Sequence, residues 1–226
     1  MKTREPQYQR CLELKDQYGL TPLGTGANQI WQDDPRRLLF VLSRYKFVSK
    51  MLSGAGSVLE VGSGDAFGSR VVLQEVKKIT ALDFDPVFIE DAKRHMNPEW
   101  AFEAVTHDIL SGPVKRRFDA AYSLDVIEHI SKKREKDFVK NIWLSLKEKG
   151  VLIIGTPSLQ SQAYASPLSK KGHVNCKDHE GLRRLLSRFF HHVFIFSMND
   201  EVVHTGFYPM AHYLLALCCD KKKKIS

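Results

Sequence analysis

Apolar residues along the early chain recur at three- and four-residue steps. Leu38, Leu42, Tyr45, Val48 and Leu52 mark one face of an amphipathic helix. Asp33-Asp34-Pro35 precedes that stripe. The carboxylate caps free N–H groups, and proline needs none at the first turn. Gly54-Ala55-Gly56 closes the segment. Residues 1–54 therefore read as a helical N-terminal cap segment.

After residue 56 the pattern changes to short apolar runs separated by amphipathic stretches. Strands are expected at 57–61, 78–83, 100–105, 118–123, 151–154, 192–197 and 212–219. Helices are expected at 67–77, 86–95, 131–147 and 178–190. Strands alternating with helices of this length predict a doubly wound α/β sheet of seven strands. It should be mostly parallel, with an antiparallel last strand joined through a long loop at 198–211. The expected layout is the helical segment, a domain over 55–220 and a basic tail at 221–226.

Composition narrows the class. Of 226 residues, 43% are hydrophobic and 27% charged, as in ordinary globular proteins. No apolar run approaches the roughly 18 residues of a membrane span. The polar start MKTREPQYQR lacks a signal-peptide core, so a cytoplasmic location is expected. Cys11, Cys176, Cys218 and Cys219 form no C-x-x-C pair, which favours thiols in a reducing compartment. A net charge of +8 suits an anionic partner. Much of it, however, lies in the tail lysines 221–224 and in Lys132, Lys133, Arg134 and Lys136 on a solvated helix face.

The sharpest local signal is Val58-Leu59-Glu60-Val61-Gly62-Ser63-Gly64-Asp65-Ala66-Phe67-Gly68. A strand running into glycines and then a helix places a ligand loop at the C-terminal sheet edge. A dinucleotide loop would read G-x-G-x-x-G, but here Phe67 stands at the third glycine position. Glu60, two residues before Gly62, suits a cationic ligand and repels a pyrophosphate. S-adenosylmethionine carries an ammonium and a sulfonium and no phosphate, so it is favoured over NAD. Asp83, ending the second strand, can accept from ribose hydroxyls, and Asp108 can accept from an adenine amine.

In this order the motifs resemble class I S-adenosylmethionine-dependent methyltransferases, a Rossmann-like family. VLEVGSGDAFG is similar to the first family motif, ALDFDP to the second and THDI to the acidic turn after the third strand. FDAAYSLDVIEHI and VLIIGTPS resemble the ubiquinone-biosynthesis O-methyltransferase-like branch. The resemblance spans roughly residues 55–198. It implies that Glu60, Gly62, Ser63 and Gly64 hold the methionine end and that Asp83 binds the ribose. It further implies that Phe84, Asp108 and Ile109 line the adenine, and that Ser123, Leu124 and Asp125 bracket the sulfonium side. The product would be S-adenosylhomocysteine.

Transfer from a sulfonium needs an aligned nucleophile and, for a hydroxyl, a base. His129, just past the fourth strand, and His173, after the fifth, are the catalytic candidates, with His204 a third. The expected activity is methylation of a hydroxyl, or an amine, of a polar small molecule or a glycan or nucleotide-linked precursor. Asp125, Glu128 and His129 also resemble the Glu-x-x-Glu-His cluster of small-RNA 2′-O-methyltransferases, which bind a divalent metal; His173 could complete it. No metal is assigned, and metal-dependent RNA methylation stands as an alternative without a visible RNA-binding module. A non-catalytic protein retaining the fold is a second alternative.

Overall fold

The computed structural model describes residues 2–225. Three helices come first: α1 (Gln9–Tyr18), α2 (Thr25–Asp33) and α3 (Pro35–Met51). Asp34 caps α3 by accepting from the Arg36 N–H, with Pro35 in the first turn. The chain continues through β1 (Val58–Val61), α4 (Ser69–Leu73), β2 (Ile79–Asp83), α5 (Pro86–His95), β3 (Glu103–Thr106) and β4 (Phe118–Leu124). The second half comprises α6 (Glu135–Leu144), β5 (Leu146–Pro157), α7 (Pro167–Gly172), α8 (His179–Leu186), β6 (Phe190–Asn199), β7 (Val202–His204) and β8 (Tyr213–Lys221).

The strands form one sheet in the order β3-β2-β1-β4-β5-β8-β6-β7. β1 pairs in parallel with β2 and with β4, and β5 extends the parallel set. β8 lies antiparallel between β5 and β6. The expected architecture is present with eight strands rather than seven. The additional strand is β7, three residues within the stretch read as loop. It folds back on β6 through Ser197–His204, Met198–Val203 and Asn199–Val202 pairing. Three residues are too few to show alternation, so hairpin pairing alone defines it.

Each sheet face is covered. Leu59, Val61, Leu82, Ala121 and Ile154 pack with Phe138, Ile142, Leu182 and Leu186 from α6 and α8. Val58, Ala81, Ala120, Tyr122 and Ile153 pack with Tyr45, Phe47 and Val48 of α3 and Val72 of α4. The period-two alternation of a strand thus sends Glu60 to the α3–α4 face beside Val58. Helices α4, α6 and α8 are shorter than periodicity suggested. The α6 helix stops at Leu144 because Ser145 Oγ turns back to the Asn141 carbonyl and also accepts the Val114 N–H. No helix among the described residues is long and apolar enough to cross a membrane.

Candidate active site

The glycine loop leaves β1 at the C-terminal edge of the parallel strands, beside the ends of β2 and β4. The Gly62 and Ser63 N–H groups both donate to the Leu82 carbonyl, at 2.8 and 2.9 Å. Gly62 has φ +76°, and a Cβ there would meet Val126 Cγ2 at 2.3 Å, so only glycine fits. Gly64, at φ +52°, faces open space. Its N–H donates to Asp83 Oδ2 at 2.9 Å, while Asp83 Oδ1 accepts from the Asp85 N–H at 3.0 Å. Each oxygen keeps lone-pair capacity for a further donor. Phe84 projects next to it, 72% exposed. Asp108 is exposed at the end of β3 and caps the turn through the Leu110 N–H, with Ile109 buried behind it. An open glycine cradle flanked by an aromatic face and two carboxylates fits a nucleoside.

Several residues take positions that differ from the sequence expectation. Glu60 does not face the ligand side. It is buried beneath the loop, where Tyr45, Tyr122 and Ser69 hydroxyls all donate to its carboxylate. Burial outweighs those three hydrogen bonds and pushes its pKa up to about 7. The Ser123 hydroxyl is likewise turned into the sheet, donating to the Val61 carbonyl at 2.8 Å. The Leu124 side chain is buried in the core under α3 and α4. Ser63 is buried too.

Asp125 follows β4 in the left-handed backbone region, at φ +58°. That conformation is costly for a non-glycine residue, and its neighbours hold it. Its carboxylate accepts twice from Arg44 of α3, at 2.7 and 2.9 Å. The Arg44 guanidinium also lies 3.9 Å above the Tyr213 ring. Sequence reasoning missed Arg44. The available signal was a cation three residues after Val41 and four before Val48, within the buried stripe.

Beyond Asp125 the chain brings Glu128, His129 and His173 together. Glu128 is fully buried, accepts from Thr156 Oγ1 at 3.0 Å and leaves Oε1 without a partner. Burial, with the Asp125 charge nearby, pushes its pKa up to about 8. The His129 and His173 rings meet edge to face, centroids 5.1 Å apart. His129 Nδ1 lies 3.0 Å from the Gly172 carbonyl, and His173 Nδ1 lies 2.9 Å from Gln162 Oε1. Both partners are carbonyl acceptors, so each Nδ1 donates and each Nε2 is left to face outward. Burial and the neighbouring His129 lower the His173 pKa, favouring the neutral ring. His204 is different: Nε2 bonds Asn199 Oδ1 and Nδ1 accepts the Gly206 N–H, so it serves the β6–β7 hairpin.

The donor atoms of Glu128, His129 and His173 lie within 4.8 Å of one another. Two nitrogen or oxygen ligands at about 2.1 Å from one ion stand at most about 4.2 Å apart. The set fits a divalent cation after a small inward movement, with Glu128 giving up its proton.

A doubly wound sheet with this glycine loop and these strand-end acids has the Rossmann-like fold of class I S-adenosylmethionine-dependent methyltransferases. Residues 59–154 match the family model described as a methyltransferase domain. The mitochondrial ubiquinone biosynthesis O-methyltransferase of Schizosaccharomyces pombe is 25% identical over 121 residues, covering 52% of this chain and 43% of that protein. The chain thus matches less than half of that relative's length. Among solved structures, the N-methyltransferase NodS from Bradyrhizobium japonicum WM9 with S-adenosyl-L-homocysteine superposes with TM-score 0.62 and 17% identity, covering 86% of this chain and 91% of NodS. The methyltransferase domain of bacterial CtHen1-C gives TM-score 0.66 and 16% identity, covering 80% and 98%. At such identities these structures establish the fold, while their acceptors remain their own.

Proposed function

We propose that this chain transfers the methyl group of S-adenosylmethionine to a hydroxyl of a polar small molecule. The cofactor, when bound, supplies a methyl on a positively charged sulfur leaving group. The chain's own residues hold it and prepare the acceptor. Gly62 and Gly64 give backbone access, and Asp83 and Asp108 offer acceptors to its nucleoside. Arg44 holds Asp125 at the β4 end. His173, its ring fixed by Gln162, takes the acceptor proton at Nε2. The acceptor oxygen forms the new bond to carbon as the carbon–sulfur bond breaks, and the bond's electron pair stays on sulfur. The observation that carries this reading is the pair of imidazoles beyond the β4 end, packed edge to face with each Nδ1 held by a carbonyl oxygen. Labelled-methyl transfer to a panel of hydroxyl compounds tests it. His173→Ala should lose on the order of 10²–10⁴ in kcat while still binding S-adenosylhomocysteine. Unchanged turnover in that variant rejects His173 as the base.

The Glu128, His129 and His173 cluster supports a second reading, in which a divalent ion orients the acceptor oxygens. Calorimetric titration with Mg²⁺, Mn²⁺ and Zn²⁺ separates the two. Binding that is lost in His129→Ala favours the metal, and absence of binding favours the base. The four free cysteines support a reducing compartment such as the cytoplasm.

A further inference from the structure

A cleft of about 730 Å³ opens beside His173, between the chain after β5 and the segment joining β7 to β8. Its volume falls within the roughly 300–1,000 Å³ of small-ligand sites. The lining is unusual for a chain of net charge +8: it contains no Asp, Glu, Lys or Arg. Gln160, Ser161, Gln162, Ser169 and Asn199 supply amides and hydroxyls instead. The side-chain amide oxygen of Gln160, Oε1, is buried without a partner. A buried acceptor left unmet is costly, so turning the Gln160 amide out to a ligand donor in the cleft is stabilising. Tyr164 stands at the mouth with its ring 90% exposed, an apolar face with a polar tip.

The chain's positive charge lies elsewhere. Lys149 and Lys221–Lys224 line a different cleft with His191, where β5 starts and β8 ends, at the sheet edge opposite the glycine loop. Lys170, close in sequence to the neutral cleft, turns its ammonium to the Ala163 carbonyl.

We propose that the cleft beside His173 is the acceptor site and that it takes a neutral polyhydroxylated molecule, a sugar ring. This rests on the methyltransferase reading of the same site. Amide and hydroxyl side chains pair with hydroxyls as both donors and acceptors, and the open Tyr164 face packs on the C–H face of a ring. An anionic acceptor would meet no lysine or arginine in the lining, and His212 there already faces the Asp200 carboxylate at 3.7 Å. The hydroxyl to be methylated lies at the His173 end, and the remaining ring hydroxyls lie along Gln160 and Ser161.

Saturation-transfer NMR on the full chain saturated with S-adenosylhomocysteine tests this, using a panel of methyl glycosides, a sugar phosphate and catechol as probes. Glycosides should receive saturation, and Tyr164→Ala and Gln160→Leu should each weaken them about tenfold with S-adenosylhomocysteine affinity unchanged. Tyr164 is exposed, so its removal leaves the fold intact. Glycoside affinity should also be the same from about 0.05 to 0.5 M salt. Binding of S-adenosylhomocysteine with no glycoside signal, or with the sugar phosphate or catechol preferred, overturns the sugar assignment alone. Failure to bind S-adenosylhomocysteine overturns the methyltransferase reading and this proposal with it.

Discussion

The Arg44 guanidinium meets the Asp125 carboxylate at 2.7 Å, tying the third N-terminal helix to the loop that ends the fourth strand. The two residues are 81 positions apart. Through this pair the N-terminal segment becomes part of the site and helps keep Asp125 in its left-handed conformation.

Removing the cation should therefore affect catalysis more than folding. Arg44→Met leaves Asp125 without its partner. Because Asp125 is 35% exposed, water offsets part of the loss, and the expected cost is about 1–2 kcal/mol of stability. The expected fall in kcat/KM is on the order of 10²-fold, since Asp125 loses its fixed position. Arg44→Lys should rescue stability but not turnover, because an ammonium can meet the Asp125 oxygens but lacks the planar guanidinium that lies over the Tyr213 ring. Thermal melts and steady-state kinetics on the two variants check this.

Glu60 makes the stability of the protein depend on pH. Its folded pKa rises from 4.5 to about 7, so the protonated carboxyl is the form the fold favours. The associated stability is fully present below 4.5 and is lost as pH rises through about 7. A rise of that size corresponds to about 3 kcal/mol. Glu60→Gln should be stabilising relative to the parent at pH above 7 and close to neutral in effect near pH 4.5. Urea melts of both proteins across that range measure the difference directly.

Gly62→Ala should abolish S-adenosylhomocysteine binding. The new methyl would strike Val126 Cγ2 at 2.3 Å in a backbone region unfavourable to alanine. The expected destabilisation is about 2–4 kcal/mol, read from chemical denaturation. Val126→Ala in the same chain should recover part of the stability, since it removes the struck atom.

Gln162→Leu should separate positioning from proton transfer at His173. The variant keeps the imidazole but removes the acceptor at 2.9 Å that fixes its tautomer. Turnover should fall about tenfold, less than in His173→Ala, and the acidic limb of the kcat profile should move. An unmoved profile would show that Gln162 does not orient the ring.

Much of the fold was legible because local chemistry and burial agreed. The α5 helix begins at Pro86, as expected, because Asp85 caps it by accepting the Val87 N–H and proline opens the first turn. The glycine loop and the acids Asp83 and Asp108 stand at strand ends, where the motif order placed them. Other features depended on information that one stretch of sequence does not carry. Glu60 looked like a ligand for a cation, yet strand alternation turns it toward Tyr45 and Tyr122, hydroxyls contributed by α3 and β4. Arg44 takes its role from Asp125, 81 positions away in the chain. The strand β7 exists through pairing with β6 and has no pattern of its own.

Calorimetric titration of the purified chain with S-adenosylhomocysteine, with NAD in parallel, shows which nucleotide the glycine loop holds. One saturable site for S-adenosylhomocysteine is expected, weakened by Asp83→Asn by roughly 10- to 100-fold as charge-assisted hydrogen bonds are lost, with no heat from NAD. Heat from NAD, with none from S-adenosylhomocysteine at millimolar concentration, would contradict this expectation.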